Sequence, residues 1–107
     1  MTASTKVEGT QLAVISTEHV LATITDAGSY VLDVDNSAMT GADRAVVRVY
    51  KKVRASTALG LAYTAVLVPW AEPISLSIPV ASVHEYEITL EQTAGLGKSF
   101  PWAVTEL

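Results

Sequence analysis

The residues able to do chemistry in this 107-residue chain are few and scattered. His19 and His84 each adjoin a glutamate, Glu18 and Glu85, and imidazole beside carboxylate is a common acid–base pairing. Neighbours along a strand point to opposite faces, so neither pair makes a dyad if these segments are extended. No serine stands in a nucleophile-elbow setting. Cysteine is absent, which removes thiol nucleophiles, disulfides and thiolate metal sites. The expectation is a protein that is not an enzyme and carries no cofactor.

Two motifs hint at ligands. Gly95-Leu96-Gly97-Lys98-Ser99 ends like a phosphate-binding P-loop. However, Gln92 stands where the motif's first glycine belongs, and Phe100-Pro101-Trp102 disfavours the helix that would hold the phosphate. A glycine hairpin is expected instead. Asp33-Val34-Asp35-Asn36, with Asp43, offers oxygen ligands for calcium. It lacks the central glycine and closing glutamate of an EF-hand loop, and Arg44 sits near the latter position. Solvated strand-end carboxylates are expected, and no metal.

Surface recognition has better candidates. Arg48, Tyr50, Lys52 and Arg54 share one face of a strand. That stripe can pair across strands with an acidic row such as Glu85, Glu87 and Glu91, dock onto an acidic protein surface, or bind nucleic acid; pairing is the expectation. Trp70, in the loop Pro69-Trp70-Ala71-Glu72-Pro73, is a contact candidate for a partner or a sugar ring. Trp102 shares a face with Phe100 and Val104 and is expected in the core.

The elements positioning these residues read as strands throughout. Val46 to Val53 and His84 to Glu91 alternate apolar with polar residues, the period of a strand with one buried face. Gln11–Ser16 and His19–Thr25 are candidate strands, and Tyr30–Val34 follows the turn Asp26-Ala27-Gly28-Ser29. Leu59–Val68, apolar on both faces, reads as a central strand covered on both sides. Ile74, Leu76 and Ile78 form a short strand closed by Pro79. In the last strand Pro101 suggests an edge position. Residues 1–9, including Thr5, Lys6 and Val7, read as a flexible N-terminal arm, and residues 10–107 as one domain. About eight strands with regular turn signals predict an all-β, single-domain antiparallel β-sandwich of jelly-roll type.

Composition sets the remaining bounds. Half of the residues are hydrophobic, enough for one core. Seven basic against eleven acidic residues give a net charge of −4, which disfavours nucleic acid and anionic membranes as partners. Met1–Gly9 lacks an apolar signal core, and the apolar stretch Ala58–Ala71 is too short to span a bilayer. The chain reads as soluble.

Three stretches resemble small structural proteins of tailed-bacteriophage virions, most of all head decoration (cement) proteins: Asp26 to Asp35, Arg48 to Val53, and Gln92 to Gly95 running into Ser99-Phe100-Pro101-Trp102. The resemblance implies a non-catalytic protein, made in the host cytoplasm and located on the capsid surface. Its partner would be the major capsid protein or another virion protein, with self-association as a trimer or a symmetric array. It transfers no functional residue. Arg48, Tyr50, Lys52, Arg54 and Trp70 are the expected docking set, with the arm ordering on the lattice.

Overall fold

The computed structural model describes residues 4–52, 54, 56, 58–69, 75–82 (backbone) and 84–107. Eight strands run through them: β1 (Ser4–Leu12), β2 (Glu18–Ile24), β3 (Gly28–Asp35), β4 (Arg44–Lys51), β5 (Gly60–Leu67), β6 (Ser75–Ser82), β7 (Tyr86–Ala94) and β8 (Ser99–Glu106). They form two antiparallel four-stranded sheets, ordered β1-β8-β3-β6 and β2-β7-β4-β5.

The pairing follows a simple rule. β4 pairs with β5, β3 with β6, β2 with β7 and β1 with β8. The chain is thus a long ribbon of nested antiparallel pairs, doubled at the β4–β5 hairpin and rolled so that alternate pairs fall in opposite sheets. This is a jelly roll, and the expected β-sandwich is what the chain forms.

Alternation in the sequence becomes alternation in burial. Tyr30, Leu32 and Val34 of β3, Ala45, Val47 and Val49 of β4, Tyr86, Ile88 and Leu90 of β7, and Phe100 and Val104 of β8 are all buried. Each large side chain removed from water in this way contributes roughly 1.5–3 kcal/mol. Tyr30 and Tyr86 meet across the core with ring centroids 5.5 Å apart, tilted by 49°. Met39, the one large apolar residue of the loop after β3, closes over the core.

Four expectations are corrected. Residues 4–9 belong to β1 and pair with β8 from Ser4↔Glu106 to Gly9↔Trp102, so Thr5, Lys6 and Val7 lie in a strand. Val7 packs against the core, and Lys6 reaches Asp26 of the β2–β3 turn. Their polar, small-residue composition suits an edge strand as well as an arm, which is why composition misled. β5 is an edge strand, because β4 pairs with β7 on its other side and leaves β5 outermost; its apolar residues are not covered on both faces. β8 lies between β1 and β3 rather than at an edge. Pro101 is tolerated there because the β8–β3 ladder stops at Val34↔Trp102 and does not reach it. β6, an outermost strand, continues through Pro79, which pairs with Val31 of β3; on such a strand a missing donor can face outward.

Candidate functional site

At one end of the sandwich the β1–β2 and β7–β8 turns lie side by side. Ala13 donates its N–H to the Lys98 carbonyl at 2.9 Å, and a β-carbon on Gly97 would come within 2.4 Å of the Ala13 oxygen. This tip displays Leu12, Val14 and Leu96, exposed by 62%, 58% and 77%. Large apolar side chains normally leave the surface when the fold permits it; here a buried polar framework holds the backbone that carries them.

The framework is built from Asp43 and Gln92. Asp43, only 3% exposed, accepts the Thr40 N–H at 2.9 Å and the Lys98 ammonium at 3.2 Å on Oδ2. On Oδ1 it accepts the Leu96 N–H at 3.1 Å. These donors hold its carboxyl below the usual carboxylate range, the Thr40 N–H foremost. Gln92, fully buried, donates to the Leu96 carbonyl at 2.7 Å and the Ala94 carbonyl at 3.1 Å, and accepts the Lys98 N–H at 3.0 Å. The Ala94 carbonyl, both Leu96 backbone groups and the Lys98 N–H therefore each meet a side chain. On the neighbouring turn, His19 Nε2 accepts the Val14 N–H at 3.0 Å. The P-loop-like glycines are hairpin glycines, as expected: Gly95 sits at φ 89°, and β8 follows, not a helix.

The stripe on β4 is engaged within the molecule. Arg48 Nη1 lies 2.9 Å from Glu91 Oε1 and 3.4 Å from Glu18 Oε2. The same Glu18 oxygen accepts the Tyr50 hydroxyl at 2.7 Å and the Thr89 hydroxyl at 2.6 Å. These bonds, from Thr89 and then Tyr50, lower the Glu18 carboxyl's affinity for protons. The hydrogen bond that Arg48 donates to Glu91 strengthens the guanidinium's hold on its proton. Lys52 meets Glu85 at 3.5 Å, and Arg54 is exposed. Cross-strand pairing thus describes Arg48, Tyr50 and Lys52. The acidic hub was not foreseen: Glu18 reaches Arg48 and Thr89 only because β2 and β4 flank β7, which no local pattern announces. Trp70 lies outside the described residues.

The remaining candidates do not converge. Glu18 turns to the stripe while His19 serves the turn, so the pair forms no dyad. Asp33 and Asp35 face out from β3, Asp35 accepting the Ser37 N–H at 2.8 Å, while Asp43 belongs to the tip. Among the described residues no three His, Asp or Glu side chains gather as a metal site. A shallow trough of about 540 Å³ is lined by residues of β1, β8 and β3, among them Glu8, Asp33, Asp35, Pro101 and Trp102, whose indole also packs against the core.

No family model, curated protein or solved structure matches this chain. The site must therefore be read from its own geometry, which offers a preformed apolar tip, a neutralised polar stripe and an edge strand left uncovered among the described residues.

Proposed function

We propose that this protein is a non-enzymatic structural component of a tailed-phage virion, a decoration (cement) protein that binds the major capsid protein of the assembled head and stabilises it. The observation that carries the reading is the tip: Leu12, Val14 and Leu96 held outward on a rigid hydrogen-bonded frame. An apolar anchor on a preorganised backbone loses little entropy on docking. The sequence resemblance adds to it, and the jelly roll, an architecture used by viral capsid and lectin domains, supports it by analogy of fold. Repeated over a symmetric lattice, modest contacts add by multivalency.

The test adds purified protein to heads lacking their decoration protein and measures occupancy and resistance to heat. Saturable binding at micromolar concentration, lost in Leu96→Ser with the fold intact, is expected. Heads that stay bare count against the proposal.

A second reading, a glycan-binding module of a tail fibre or secreted protein, draws on the trough beside Trp102, where carboxylates could accept sugar hydroxyls. Binding on a glycan array that vanishes in Asp33→Ala would favour it over decoration.

A further inference from the structure

We infer that the free edge of β5 is an interface with a second copy of this chain, formed by antiparallel β5–β5 pairing about a two-fold axis. The four outermost strands are β1, β6, β2 and β5. An outermost strand offers a row of open N–H and C=O groups, and proteins guard such rows with charge, proline or bulges. Three are guarded here. β1 carries Lys6 and Glu8 and shifts register between Thr5 and Val7; β2 opens with Glu18 and His19 and shifts between Val20 and Ala22; β6 contains Pro79. β5 has neither charge nor proline. Its irregularity falls at Ala62, between the pairs Val49↔Tyr63 and Tyr50↔Leu61, which leaves Tyr63–Leu67 regular.

The side chains point the same way. Leu61, Tyr63 and Val66 are 58%, 47% and 60% exposed, although β5 lies beside the core strand β4. Water meets the edge groups of a single chain, and another strand would replace it with a regular ladder. Charge selects which strand. Each copy carries −4, so two copies approach best through a surface free of carboxylates. No Asp, Glu, Lys or Arg occurs between Arg54 and Glu72. A second β5 sets uncharged residues against one another at every position, so the pairing leaves no ion without a partner. A two-fold centred on Ala65 pairs Thr64 with Val66 on the outer face and Tyr63 with Leu67 on the inner, favourable β-branched and aromatic–aliphatic contacts. The interface is self-complementary and closed. The two sheets join into one, and a single particle carries two tips.

The test needs no capsid, so its failure is separate from that of the decoration reading. Light scattering at tens of micromolar should give twice the 11.3 kDa chain mass. The double variant Thr64→Lys, Val66→Lys sets lysines opposite one another at exposed positions; it should run at the single-chain mass with an unchanged far-UV circular dichroism spectrum. In the unmodified protein, β5 amides facing away from β4 should exchange more slowly as concentration rises. A single-chain or three-chain mass for the unmodified protein, a folded double variant that remains dimeric, or concentration-independent exchange along β5 overturns the inference.

Discussion

A β-carbon on Gly95 would lie 1.9 Å from Asp43 Oδ1 and 2.9 Å from the Asp43 Cα. The β7–β8 turn is therefore fitted against the carboxylate that orders it. Gly95→Ala meets both a left-handed backbone, costing about 1–3 kcal/mol, and a collision that can be relieved only by moving Asp43. Gly41 also has positive φ, at 57°, but open space around it. Gly95→Ala should lower the urea midpoint clearly more than Gly41→Ala; equal midpoints would show that the turn yields freely.

Asp43 itself should be costly to remove. Asp43→Ala leaves the Thr40 and Leu96 N–H groups and the Lys98 ammonium without their acceptor, and hydrogen bonds to a charged group are worth about 1.5–3 kcal/mol each before water compensates. A loss of about 2–3 kcal/mol in urea unfolding is expected, and under the proposed decoration role capsid binding should weaken too, because Leu96 loses its frame. Lys98→Ala, which removes only the half-exposed partner, should cost less than about 1 kcal/mol.

Acid should weaken the fold through Asp43 and Glu18. Both carboxyls hold their protons less tightly folded than unfolded. Their contribution is thus fully present above the ordinary unfolded values, about pH 4, and is lost as pH falls through the lower folded values. Thermal melts should be flat from neutrality to about pH 5 and fall below pH 4. The double variant Asp43→Asn, Glu18→Gln should start less stable and lose less on acidification. A parallel decline in both proteins would place the acid sensitivity elsewhere.

Glu18 and Arg48 contribute unequally, despite being partners. Arg48 is partly exposed and answers two carboxylates, so Arg48→Ala should cost about 0.2–1 kcal/mol. Glu18→Ala also strands the Thr89 hydroxyl, which is 2% exposed, and should cost more, about 1–2 kcal/mol. A double-mutant cycle that finds no coupling between the two positions would show that the pair is ornamental to the sheet.

Which of these relationships the sequence announces depends on their range. The core faces of β3, β4, β7 and β8 were legible because a buried face leaves a period-two signature within one strand. The hairpin at Gly95 was legible because glycine and the following Pro101 act locally. The Glu18 hub, the Asp43 frame and the placing of β5 and β8 depend on sheet order, set by how the whole ribbon rolls. Leu59–Val68 shows the limit: apolar on both faces describes a covered central strand and an outermost strand awaiting a partner equally well. Leu12, Val14 and Leu96 give no local signal, since an exposed leucine looks like a buried one until the turns are placed.

The N-terminal segment provides the last test of register against composition. β1 is outermost, yet it covers β8 along its full length, from Ser4↔Glu106 to Leu12↔Ser99. Val7 rests on the core, and Gly9 lies so close to the Trp102 indole that a β-carbon there would sit 3.2 Å from it. Deleting residues 1–9 removes the β8 pairings of Ser4, Thr5, Val7, Glu8 and Gly9 and uncovers Trp102 and the flank of Val104. A loss of roughly 2–4 kcal/mol follows from that burial and those bonds, read as a lower melting temperature and faster exchange of β8 amides. Unchanged melting would mean that the segment is an arm after all, laid against β8 without supporting it.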